Sequence, residues 1–466
     1  MSVEVIQVFL EELHQCTRHP AKTQLEELQS LLSINPSVNK YIVRINNLDF
    51  LEEKTIARLV ESVHFYNDEW LAFGELVVSF IRMCNQLNPW SLLESFELYS
   101  IYMKDISVAF NNVNRGYLVS HLAKETVGYI LPIAKDLDCL LYFRENSGRP
   151  RLKSLAAILF KMFNNIRSQL SGDPAENLKM SAKSGLIFYL GVKLCQTYFK
   201  LSNPLLCRNV FSNMNNASLS IKNCSLNEQL QYRYYLGKFY FIQDQLIDAS
   251  QHLLWCLFHC PPLKNHPNIN EILKFLLPIS IVIGKKPNFD YIENIFYSDK
   301  SSVPSFFAIY RDICGAICAG NYNHFCSIIR TPQNYEFLKE SNLLMLITKS
   351  VLLILRNLIR RVWKMSSYPT KLEYGTIHRC LSLSVASQFE PSICNLIFNT
   401  EDDLMVENVL ITLIDQNMLK GKLFPRLRVI SLAKTNVFPR VDRINFIRFG
   451  RGDESLLNDD DKWLNE

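Results

Sequence analysis

Residues 420–451 carry nine basic side chains against a single acid, Asp442, a local net of +8, and residues 452–466 swing to −5. Clustered Lys and Arg are what phosphate binding needs, because each cation that meets a phosphate releases condensed counterions. The candidate nucleic-acid-binding residues are therefore Lys420, Lys422, Arg426, Arg428, Lys434, Arg440, Arg443 and Arg448. The segment RVDRINFIRFGRGD also interleaves its arginines with Phe446 and Phe449. That mixture suits single strands, where bases stack on aromatic rings while guanidinium groups track the backbone. Packing of Phe446 on the domain is the competing reading. Arg360, Arg361 and Lys364 form a smaller upstream group, read either as additional phosphate-binding cations or as a solvated helix face. Nothing in the pattern suggests base-specific readout, so the expected binding is salt-dependent and directed at the backbone.

Other chemistry finds no support. Cys256, His259 and Cys260, like Cys314 and Cys318, are spaced to share a helical face, but no complementary pair completes a tetrahedral zinc site. They read as core thiols, and no metal is expected. Phosphate-binding glycine loops, zinc-protease helices, nucleophile elbows and the H-x-H pattern of metal-dependent isopeptidases are all missing, so neither a catalytic residue nor a cofactor is expected. Thirteen Cys without a C-x-x-C pair favour a reducing compartment. The N-terminus places acids within its apolar stretch, unlike a signal peptide. No apolar run reaches the ~20 residues of a membrane span; residues 275–283 are broken by Pro278, and residues 343–355 by Thr348 and Lys349. No membrane partner is expected.

The elements that must position these residues are mostly helical. With 48% hydrophobic residues, 20% charged, 15 Gly and 18 Pro in 466, the chain is too apolar for a disordered one. Up to about residue 365 apolar residues recur at spacings of three and four, as in Val5, Ile6, Phe9, Leu10 and Leu13, or Leu152, Leu155, Leu159, Met162 and Phe163. This predicts an all-α chain with an N-terminal helical region over 1–85 and a helical solenoid over 86–365. Near 229–261, Leu236, Gly237, Tyr240, Ala249, Leu253 and Pro261 follow the offsets of a tetratricopeptide hairpin, with Arg233 where that pattern has Trp. Gly237 and Ala249 would let two helices approach closely. The aromatic run Tyr232, Tyr234, Tyr235, Phe239, Tyr240 and Phe241 reads either as core or as a groove for a partner peptide. Over 366–440, helices at 372–385 and 406–419 are followed by an alternating segment in which Leu427 and Val429 face opposite to Arg428, Ile430 and Leu432. Helices before a β-ribbon describe a winged helix, with Lys420 and Lys422 in the turn before the wing and Arg426 and Arg428 on it. Residues 441–466 form a basic exit segment and an acidic tail.

A helical solenoid capped by a winged helix is the PCI architecture, and the resemblance extends to sequence blocks. SGLIFYLGVKLCQTYFKLSNPLLCRNVFSNM, QLQYRYYLGKFYFIQDQLIDA, LPISIVIGKKP, RNLIRRVW and MVENVLITLIDQNMLKGKLFPRLRVISLAKT resemble successive blocks of the PCI-domain subunit of the TREX-two transcription-and-export complex. A signalosome-associated paralogue is also similar. The blocks span roughly residues 184–438; residues 1–85 and the chain after Arg440 carry no such likeness. The resemblance implies a non-enzymatic subunit, nuclear and at the pore periphery, that couples transcription to mRNA export. It implies three partners: a larger PCI scaffold of Sac/GANP type met through the winged helix, a small acidic DSS/Sem-type peptide, and RNA or DNA bound without sequence specificity. A pure protein-interaction subunit of a signalosome-like or splicing-linked complex remains the alternative.

Overall fold

A computed structural model of the chain describes residues 2–145, 148–170, 178–217, 219, 221, 224–261, 263–385, 404–449 and 463–464. The chain divides into two units, residues 1–235 with 457–466, and residues 236–456.

In the first unit, helices adjacent in sequence pack on one another: Leu71–Gln86 on Leu92–Phe110, Leu92–Phe110 on Ser120–Leu140, and Pro150–Gln169 on Leu178–Lys200. The pattern that builds them is plain in Leu71–Gln86, where Phe73, Leu76, Val77, Phe80, Ile81 and Cys84 are buried on one stripe. Ends are fixed by side chains. Ser91 accepts the N–H of Glu94 at the start of Leu92–Phe110, an N-cap worth about 1 kcal/mol. Buried Asp138 accepts the N–H of Leu152 at 2.9 Å and pairs with Arg151 at 3.3 Å, anchoring the first turn of Pro150–Gln169.

The second unit opens within the helix Leu226–Ile242, which is followed by Leu246–His259. A Cβ on Gly237 would stand 3.1 Å from the Leu253 side chain and 3.4 Å from the Ala249 carbonyl oxygen. The backbones therefore meet as closely as the Gly and Ala spacing requires. Tyr240, buried, stacks on His252. Helices Pro267–Ile283, Phe306–Ala319, Tyr322–Arg330 and Val351–Met365 continue the unit, the first swallowing Pro278 inside a buried apolar helix. Among the described residues no single helix is long and apolar enough to cross a membrane.

The winged helix follows. Strand β1 (Lys371–Glu373), helices Tyr374–Val385 and Leu404–Asp415, and strands β2 (Gly421–Phe424) and β3 (Val429–Leu432) form it, with sheet order β1-β3-β2, all antiparallel. Helix Val351–Met365 packs on both of its helices. Ile377, Leu381, Val406, Leu410, Leu413 and Ile430 are almost fully buried and form its core. The all-α solenoid capped by a winged helix, expected from the sequence, is the observed fold.

Four local expectations need correcting. Leu372 and Glu373 belong to β1, not to the helix, because Leu372 pairs with Ile430 across the sheet. Lys422 lies in β2 opposite Ser431 rather than in the turn before it. Arg428 is outside the strand: it takes a left-handed conformation, φ 52°, at the end of the short 3-10 turn Pro425–Leu427. Cys318, read as a core thiol, is exposed, whereas Cys256, Cys260 and Cys314 are buried.

Candidate nucleic-acid interface

The wing is held by backbone pairing that leaves its cations outside. In β2 the inner positions Gly421 and Leu423 are half-buried and the outer positions Lys422 and Phe424 exposed. In β3, Ile430 and Leu432 point inward. Lys420 donates its N–H to Val437 O and accepts from the N–H of Ala433, so its side chain projects at the base of the ribbon. Lys420, Lys422, Arg426, Arg428 and Lys434 are all exposed.

After the ribbon the chain forms a helix, Val441–Phe449, docked on the end of Pro267–Ile283. Asn445, with no exposed surface, donates from Nδ2 to Val282 O and Ile283 O, both at 3.0 Å. These are carbonyls that a helix C-terminus leaves without intrahelical partners. Gly284 ends that helix with φ 97°, and a Cβ there would lie 2.4 Å from Val441 Cγ1. Only glycine permits so close an approach. Arg440, Arg443 and Arg448 are exposed on this segment. The two phenylalanines separate: Phe446 is 39% exposed, while Phe449 is buried under Lys349 and Arg448. Phe449 is thus unavailable to stack on a base, which corrects the sequence expectation for it.

A cleft of about 300 Å³ opens where these parts meet, and Lys285, Lys286, Arg356, Arg360 and Arg440 line it against the one acid Asp442. Arg356 is buried and donates to Pro439 O at 2.7 Å, clamping the chain that leads into the exit helix. Burial, with the charge of Arg360 beside it, pushes its guanidinium down to about 10. Arg440 grips Asp442 through two hydrogen bonds, at 2.7 and 3.1 Å, which hold that carboxyl below its usual range. The acid in the cleft is therefore already engaged. Arg360 joins Arg440 here, whereas Arg361 on the same helix donates to Ala319 O at 2.6 Å and Lys364 lies exposed one turn on, neither lining the cleft. Sequence reading missed Lys285 and Lys286: two lysines after an apolar helix look like a solubilising break, and only the docking of residues 441–449 places them beside Arg440. What this arrangement can do chemically is hold anionic phosphodiester oxygens. Among the described residues no group of His, Cys, Asp and Glu could hold a metal ion.

No protein-family model matches the chain. It is 25% identical over 433 residues to the nuclear mRNA export protein THP1 of Saccharomyces cerevisiae, covering 88% of this chain and 92% of that protein. A PCI domain-containing protein of Schizosaccharomyces pombe is 23% identical over 426 residues, 88% and 89% of the two chains. A CSN12 homolog of Mycosarcoma maydis is 24% identical over 307 residues, 64% and 62% of the two. The resemblance to PCI-domain subunits of export and signalosome-associated type, read from the sequence blocks, is borne out.

Proposed function

We propose that this chain is a non-enzymatic PCI subunit of a nuclear complex that couples transcription to mRNA export at the pore periphery, and that its winged helix and exit helix hold RNA or DNA by the backbone. In this reading the winged helix sits beside that of a larger Sac/GANP-type PCI scaffold, and a small acidic DSS/Sem-type peptide stabilises the subunit. Similarity to an mRNA export protein along 88% of the chain supports the assembly. The observation that carries the nucleic-acid role is the gathering of Lys285, Lys286, Arg360 and Arg440 around one cleft whose acid is already paired. With Asp442 engaged by Arg440, the cleft keeps a surplus of positive charge that releases counterions on meeting phosphate.

The test is binding of single-stranded RNA across a salt series, with and without the PCI partner. Reversal of Arg426, Arg428, Arg443 and Arg448 to Glu should weaken binding at physiological salt and flatten the slope of log K against log salt by about 0.7 for each phosphate no longer neutralised. Unchanged affinity would leave the second reading, a protein-interaction subunit, which the likeness to CSN12 homologs favours.

A further inference from the structure

The acidic tail carries Trp463 and Leu464, and these two residues are seated in the first unit. The Trp463 ring meets Phe188 and Tyr232 edge to face, with centroids 6.0 and 5.6 Å apart. Phe211 closes on Tyr232 from another side at 5.5 Å. The indole N–H donates to Asn215 Oδ1 at 2.9 Å. Leu464 is buried, and its carbonyl accepts a 2.5 Å hydrogen bond from the guanidinium of Arg233, itself buried. The socket thus has an aromatic floor, a side-chain acceptor for an indole N–H, and a cation that reads a backbone carbonyl. It discriminates: a Phe in place of Trp leaves Asn215 unmatched, and a residue smaller than Leu leaves a void.

Arg233 is the position at which the hairpin departs from the tetratricopeptide pattern, which has Trp there. A Trp built into that helix would pack its own hairpin. Arg instead presents a buried donor to a chain arriving from elsewhere, and the arriving segment brings the Trp.

We propose that Phe188, Asn215, Tyr232 and Arg233 form a peptide-binding socket for a Trp-Leu segment, and that the chain's own residues 463–464 fill it as an intramolecular ligand. The socket is a site distinct from the basic cleft, and another Trp-Leu segment gains it only when the tail leaves. Covalent linkage makes the tail's return to the socket an intramolecular event, with an effective concentration on the order of 1 mM, so a free peptide of micromolar affinity cannot displace it at ordinary concentrations.

The experiment uses the full chain with a site-specific protease recognition sequence inserted after Gly452, purified folded and then cut. A fluorescein-labelled peptide of residues 457–466 is the probe, read by anisotropy after washing out the released tail. The peptide should bind the cut chain at least tenfold more tightly than the uncut one, and a Trp463→Ala peptide should bind the cut chain at least tenfold more weakly than the native peptide. Asn215→Ala in the cut chain, whose fold is checked by its melting curve, should weaken native binding several-fold. Equal binding to cut and uncut chains, indifference to Trp463→Ala, or no binding to a cut chain that still melts as the uncut one does would each overturn the proposal. A dimer that dissociates when the tail is cut would place the tail in a second copy and overturn the intramolecular assignment.

Discussion

Each unit has a cleft between helices, and the two are lined by opposite charge. In the first, a cleft of about 500 Å³ presents Glu53, Glu61, Asp68, Glu75 and Asp105, with Arg82 as its cation. In the second, a smaller cleft presents five cations and Asp442. Each cleft also ties down its minority charge, Arg82 to Glu53 at 2.9 Å and Asp442 to Arg440 at 2.7 Å. The majority charge prevails in both. A formal net charge of +5 over the whole chain therefore averages two surfaces that would attract opposite partners, and the potential that steers a ligand is set locally.

The largest expected effect breaks this comparison directly. Reversing Lys285, Lys286 and Arg360 to Glu should weaken single-stranded RNA binding by roughly a hundredfold, about 3 kcal/mol, and reduce the salt slope by about 2. Reversing Glu61 and Glu75 to Lys should leave that slope where it was. Filter binding of both variants at several salt concentrations decides it; equal losses would mean that net charge, and not the cleft, governs binding.

The next two effects ask whether the basic cleft exists only because the exit helix is docked. Gly284→Ala forces a side chain into a left-handed turn and against Val441, which should cost about 2–4 kcal/mol of unfolding free energy in urea. Asn445→Ala strips two hydrogen bonds from the end of Pro267–Ile283, a loss of about 1–3 kcal/mol. Both should also lower RNA affinity while every cation of the cleft keeps its identity. Full RNA affinity in a destabilised Asn445→Ala chain would separate the cleft from the docking of the exit helix.

That dependence explains what was legible in the sequence. The +8 segment, the solenoid and the winged helix could be read because charge and the three-to-four spacing are local quantities. Lys285 and Lys286 could not, since their role arises from the docking of Val441 and Asn445, some 160 residues away, and periodicity carries no such information. The strand register was open for a related reason: both faces of 427–432 hold apolar residues, and only pairing of Leu372 with Ile430 selects Ile430 and Leu432 as the buried pair. The seating of Trp463 and Leu464 within the acidic tail could not be read either, because their partners lie on helices more than 200 residues earlier.

The smallest effect concerns how the first unit treats a cation that has no cleft to face. Lys183 has no exposed surface and donates to Gln169 Oε1 at 2.8 Å and Val113 O at 3.3 Å. Burial first, and then the charge of Lys179, lower its pKa to about 8. A folded-state pKa below the unfolded value near 10.5 means that the unfolded chain holds the proton more tightly between those two values. Stability should therefore rise with pH across that window, by at most one proton's worth of slope. Below about pH 8 the lysine is charged in both states and its penalty is constant. Lys183→Met removes this titration while keeping the helix, so the stability of the native chain relative to the variant should climb from about pH 8 to about pH 10. The buried tyrosines that lose stability at still higher pH are common to both chains and cancel. Urea midpoints at about pH 7, 8, 9 and 10 check it, and parallel curves would show that Lys183 reaches water readily and that its burial carries no titratable penalty.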